Sequence, residues 1–183
     1  MINSPMNNIT SWNVRGLNSP NKQKDVKIFL HQQSIGLVGL LETKIKDKEV
    51  EQIASNIFEG SLCSTERIWV ALKSCSYAVV ALRLTDQLIH CAVTHLATQH
   101  HFHITFVYGH NQEHQKKPLW KELHQISLSI SGAWCILRDF DSILFKEDRY
   151  GGNEVEDHDI RELTYFMADC KVLEMLSSGE YFS

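Results

Sequence analysis

The run ILRDFDSILFKEDRYGG, Ile136 to Gly152, carries a short apolar stretch into two carboxylates, Asp139 and Asp141, and then into a charged loop closed by a glycine pair. Carboxylates at the mouth of a strand serve as general bases or as hard oxygen ligands, and the partners supplied by the rest of the chain decide which. Four further residues could be those partners. Asn13 closes NITSWN, Glu42 follows IGLVGLL, and Tyr108 and Asn111 lie at the end of FHITFVYGHN. Each falls where a strand should end at its C-terminus, and a rigid sheet edge aims short polar groups there at one crevice. One Glu, two Asp and two Asn make a hard-oxygen set, which suits Mg²⁺ rather than zinc or copper.

The elements that must position these residues can be read from hydrophobic periodicity. NITSWNV (8–14) alternates as a strand, and KQKDVKIFLHQQS (22–34) places Val26, Phe29 and Leu30 on one helical stripe. IGLVGLLET (35–43) is continuously apolar, the pattern of a strand buried on both faces, and KDKEVEQIASNIF (46–58) returns to helical spacing. RIWVAL, YAVVALRL, LIHCAVTHL and FHITFVYG then read as four strands of a meander. HQKKPLWKELHQISLSI (114–130) is an amphipathic helix, AWCIL (133–137) a strand and VEDHDIRELTYFMADC (155–170) a further helix. KVLEMLSSGEYFS is expected to hold a partial strand and a turn at Gly179. No repeat or low-complexity linker divides the chain, so it reads as one α/β domain over 8–183 with a short tail at 1–7.

Composition narrows the function classes. A chain of 183 residues with 43% hydrophobic content can bury a sizeable core. With 18 basic and 22 acidic residues, net −4, any contact with nucleic acid must come from a local patch. Five scattered cysteines without a CxxC pair fit a reducing compartment better than a disulfide framework or a zinc site. Neither a signal-peptide apolar region nor a membrane-length apolar run is present, which points to an intracellular protein of nucleus or cytoplasm, with no membrane partner and no organic cofactor.

SWNVRGLN, LLETK, TFVYGHN, LRDFDSIL and EDRYGG, in this order and spacing, resemble the endonuclease domain of plant LINE-type (non-LTR) retrotransposons, within the endonuclease/exonuclease/phosphatase superfamily. The resemblance runs from Asn8 to Ser183. It implies a DNase-like fold, a four-layer α/β sandwich of two mixed β-sheets flanked by helices, that hydrolyses a DNA phosphodiester as a monomer with Mg²⁺ or Mn²⁺. It further implies that Glu42 is the principal metal ligand with Asn13 beside it, that Tyr108 and Asn111 hold the scissile phosphate, and that Asp139 orients or deprotonates the attacking water. Arg149, in EDRYGG, becomes a candidate for DNA-backbone contact, with Gly151 and Gly152 allowing close approach.

Two departures bear on activity. The family pattern GDFN is RDFD here, so that Asp141 stands where a neutral amide would donate to phosphate. An ionised carboxylate can only accept. The family also continues into an aromatic FTW segment and a strand carrying an SDH triplet, which the resemblance leads one to miss after Tyr181–Phe182–Ser183. The expectation is therefore a domain lacking its C-terminal strands and its acid/base histidine, a remnant with weak or no cleavage, and with an uncovered sheet edge open to self-association. The alternatives are a working Mg²⁺-dependent endonuclease and a non-enzymatic fragment that binds nucleic acid or protein. THLATQHHFH brings His95, His100, His101 and His103 together, but with no carboxylate or cysteine at ligand spacing it reads as a polar hairpin tip. Lys44, Lys46 and Lys48 read equally as a DNA-facing stripe or a solvated helix start, and Trp12, Trp69, Trp120 and Trp134 as core.

Overall fold

The computed structural model of the protein describes residues 7–110, 113–139 and 157–175. Its elements are β1 (Asn8–Asn13), α1 (Pro20–Gln32), β2 (Ile35–Leu41), α2 (Asp47–Ile57), β3 (Ser61–Ser64), β4 (Ile68–Leu72), β5 (Tyr77–Leu84), β6 (Leu88–His95), β7 (His100–Tyr108), α3 (Glu113–Ser129), β8 (Trp134–Asp139) and α4 (Asp157–Cys170). They form two four-stranded sheets, ordered β1-β2-β4-β3 and β5-β6-β7-β8. Both are mixed, because β1 runs parallel to β2 and β7 parallel to β8 while the other pairs are antiparallel.

Three apolar layers hold the sandwich together. On the outer face of the first sheet, Val38, Leu40, Trp69 and Ala71 pack beneath Val26 and Leu30 of α1 and Ala54 and Ile57 of α2. Between the sheets lie Leu37, Leu41, Ile68 and Val70 against Ile89, Cys91, Ile104 and Phe106. Beyond the second sheet, Leu119, Leu123 and Ile126 of α3 and Leu163 and Phe166 of α4 cover Leu88 and Val107. The order is helix, sheet, sheet, helix. Every residue of β2 is buried, since its alternate side chains enter the first and second of these layers. No helix among the described residues is long and apolar enough to cross a membrane.

The structure differs from the periodicity reading in three places. RIWVAL does not join the meander: β4 pairs with β2 and β3 in the first sheet, and only β5, β6 and β7 form the antiparallel meander. The chain changes sheets through the turn at Lys73–Ser76, where the amide of Ser76 donates to the carbonyl of Lys73. β3 is an additional strand, four residues long and half polar, with too little alternation to be read. Lys171–Met175, expected to begin a strand, leaves α4 through Lys171 at φ 54° and pairs with no sheet, while the turn expected at Gly179 lies outside the described residues.

Gly39 sets how closely the sheets approach. A Cβ built there would lie 2.0 Å from Cδ1 of Phe106, a fully buried ring on β7. Gly39→Ala is therefore expected to force the sheets apart and destabilise the fold by about 3 kcal/mol, the upper end of overpacking costs. Urea unfolding checks this, and a change below about 0.5 kcal/mol would mean that the interface yields more easily than its packing indicates.

A buried polar chain crosses the outer face of the second sheet. Trp134 Nε1 donates to Thr105 Oγ1 at 2.8 Å, and the same oxygen lies 2.8 Å from Nδ1 of His90, which is 3% exposed. Burial, with a smaller contribution from neighbouring His103, pushes the His90 pKa down to about 4 from 6.5. Because the folded form resists protonation, His90 costs nothing above pH 6.5, and stability is lost as pH falls from there toward 4. The loss amounts to about 3 kcal/mol. Chemical denaturation across this range should show the slope, and His90→Leu should flatten it.

Candidate active site at the strand ends

The direction of the strands decides whether the candidate residues can meet. Gly39 faces Phe106 across the interface, and two residues further along each strand the guanidinium of Arg67, beside Leu41 and Glu42, lies over the ring of Tyr108 at 5.5 Å. β2 and β7 thus advance in the same sense across the sandwich. β1 is parallel to β2, β8 is parallel to β7, and β1 lies against β8. All four C-terminal ends therefore open on one rim. They carry Asn13, Glu42, Tyr108 and Asp139, the last two level with each other in the β7–β8 register.

The backbone of this rim is shaped by two interlocked loops. The amides of Val14, Gly16 and Leu17 donate to the carbonyls of Leu41, Glu42 and Thr43 at 3.0, 2.7 and 2.9 Å, so the loop after β1 is zipped onto the loop after β2. Three non-glycine residues here, Arg15, Glu42 and Lys44, have φ of 47°, 57° and 55°. Left-handed backbone costs about 1 kcal/mol or more at each such position, and it turns Glu42 out of the strand direction to face the rim. Thr43, fully buried, anchors the turn by donating from its amide to the carbonyl of Arg67 at 3.2 Å.

Glu42 is a carboxylate held in its charged form. The Lys44 ammonium bonds to it and keeps its pKa below the usual carboxylate range, against partial burial, with the Asn13 amide and the charge of Arg15 acting the same way. Asn13 is itself fixed, because its Oδ1 accepts the backbone N–H of Arg15 at 2.8 Å. Lys44 pairs with Glu42, Lys46 sits at the N-cap position of α2 without a side-chain capping bond, and Lys44, Lys46 and Lys48 are all exposed. The Lys44 side chain is 52% exposed, and an ion pair of that kind is worth at most about 1 kcal/mol, little enough to yield to a divalent cation.

Of the other candidates, Asn111, Asp141 and Arg149 lie outside the described residues, and Asp139 is placed by its backbone alone. Among the described residues no group of three or more His, Cys, Asp or Glu is arranged to hold a metal. One carboxylate nevertheless suits Mg²⁺, which binds through one or two carboxylates and keeps several waters. His95 and His100 form the last pair of the β6–β7 hairpin, and the Nδ1 atoms of His95 and His101 contact Thr98 and Thr94 at 2.7 and 2.8 Å. The tryptophans contribute to packing: Trp12 against Phe29, Trp120 against Phe166, and Trp69 fully buried.

Arg67 escaped the motif reading. It sits one residue before β4, in a run that reads as an ordinary strand start, and only the packing of one sheet on the other brings it to Tyr108. Among the described residues nothing else engages its guanidinium, so a cation stands at the centre of the rim, between the two sheets.

This architecture, two mixed sheets face to face with helices outside and polar residues at the strand ends, is DNase-like. Solved structures share it. The endonuclease domain of TRAS1, a telomere-specific non-LTR retrotransposon, superposes with a TM-score of 0.62 at 8% identity, covering 87% of this chain and 70% of that one. The AP endonuclease LMAP from Leishmania major gives 0.64 at 12% identity, covering 87% and 65%. The mannosyl-6-phosphatase Bt3783 of Bacteroides thetaiotaomicron gives 0.54 at 8% identity, covering 73% and 65%. These neighbours belong to the endonuclease/exonuclease/phosphatase superfamily, and at such identities the likeness is one of fold. The chain spans 65% to 70% of the length of these three structures. No protein-family model and no curated protein matches it.

Proposed function

We propose that the rim is a metal-dependent phosphodiesterase site of the retrotransposon-endonuclease kind, acting on DNA and weakened in this chain by Asp141. The observation that carries the reading is the shared direction of β1, β2, β7 and β8, which brings Asn13, Glu42 and Tyr108 to one rim with the end of β8 beside them. Glu42 and Asn13 would hold Mg²⁺ or Mn²⁺, and the ion when bound supplies Lewis-acid polarisation of a phosphoryl oxygen. Tyr108, its ring beneath Arg67, donates its phenolic O–H to a non-bridging oxygen, and Asn111 adds a second donor. Arg67 offsets the charge that accumulates in the transition state. Asp139 accepts the proton of the attacking water. Arg149 positions the DNA backbone beside the site.

The sequence order of the five motifs, more than the fold, favours DNA over a small phosphoester, since the same sandwich serves a sugar phosphatase. Incubation of the full chain with supercoiled plasmid tests the reading. Slow nicking that requires Mg²⁺ and disappears with EDTA is the expected result, whereas release of phosphate from small monoesters with no action on plasmid would assign the rim to a phosphatase.

A further inference from the structure

The other end of β2 holds a second cavity, which the rim chemistry does not use. It occupies about 420 Å³ between the helical layer and the first sheet. This is within the ordinary range for small-molecule sites. Four residues of strand, about 13 Å at the usual rise, separate Val38 in its lining from Glu42. Its floor is apolar, formed by Val38, Ile57, Phe58 and Ala71. Lys27 of α1 and Lys73, just after β4, stand on its lining, and among the described residues neither ammonium has a hydrogen-bond or ion-pair partner. Glu59 is the single carboxylate of the lining.

We infer that this cavity binds a free single-chain amphiphile with a carboxylate head, a medium-chain fatty acid in its chemistry, with the tail on the apolar floor and the head between Lys27 and Lys73. Two cations with no partner among the described residues, beside an apolar floor, select for an anionic head on a hydrocarbon body. A neutral ligand of the same length fills the floor and leaves both charges uncompensated, and a cationic one is repelled. The inference is independent of any reaction at the opposite rim.

Binding of hexanoate, octanoate, decanoate and decanol to the full chain, followed through the methyl NMR signals of Val38 and Ala71, tests it. Saturable binding is expected, with affinity rising about four-fold per methylene until the floor is filled, and decanoate binding at least about ten-fold tighter than decanol, as charge-assisted hydrogen bonds provide. Lys27→Met with Lys73→Met keeps the stems and should abolish that preference while leaving decanol unchanged. Equal affinity for decanol and decanoate, or a double lysine variant that still prefers decanoate, would overturn the inference. So would co-sedimentation with anionic phospholipid vesicles in place of saturable decanoate binding, which would make this face a membrane contact.

Discussion

Asp141→Asn is expected to raise Mg²⁺-dependent nicking by the full chain on the order of 10²-fold. Asparagine at that position donates an N–H to a phosphate oxygen, whereas an ionised aspartate can only accept and so repels the phosphate it should hold. Two like charges about 4 Å apart at an effective dielectric near 20 repel by roughly 4 kcal/mol, and screening by water and the cation leaves about two-thirds of that in the rate. The same variant should tighten DNA binding at low salt, because a repulsive charge has gone. Asp141→Asn with nicking unchanged would mean that position 141 does not face phosphate, and the weakness assigned to RDFD would lose its cause. The aspartate itself should leave folding untouched, so far-UV circular dichroism and urea midpoints serve as the control.

Glu42→Gln, made in the Asp141→Asn background, is expected to abolish that nicking, with a loss of about 10²-fold or more. Glutamine preserves the length of the side chain and can still hydrogen-bond to Asn13, so shape is retained while the charge that holds a divalent cation is removed. The left-handed backbone at Glu42 and the loops zipped together around it do not depend on that charge. Stability should therefore change little at neutral pH. A variant that nicks as fast as its parent would show that the metal sits elsewhere. A variant that unfolds would show the carboxylate to be structural, and Glu42→Asp then separates the two, since it keeps the charge and retracts it from Lys44.

Much of the fold could be read from the chain because its signals are local. IGLVGLL could only be a strand covered on both sides, and β2 is buried at every position. Helical stripes such as Val26 with Leu30, and Leu119, Leu123 with Ile126, place α1 and α3 to within about two residues of their expected bounds. The failures share a physical cause. Whether RIWVAL pairs with the strand after it or with one some 30 residues before it is decided by the turn at Lys73–Ser76, and alternation within a strand carries no information about its neighbours. Arg67 was invisible for a related reason, since its place over Tyr108 exists only once two sheets are stacked. His90 lay in a run that read as a simple strand, and nothing local announced that Thr105 and Trp134 would bury it in a polar chain. At the rim, residue types and strand ends were legible, whereas the closure of Lys44 on Glu42 and the left-handed turns at Arg15, Glu42 and Lys44 required the folded backbone.

The metal is the point on which the account can be tested without any turnover. Mn²⁺ titrated into the isotope-labelled full chain should broaden the backbone amide signals of Asn13, Glu42, Tyr108 and Asp139 together, at metal concentrations that leave the β6–β7 hairpin around His95 and His100 untouched, and Mg²⁺ should compete the broadening away. Broadening confined to the histidine hairpin, or none at the four strand ends up to millimolar metal, would contradict the claim that Glu42 and Asn13 hold a cation at the rim where those ends meet.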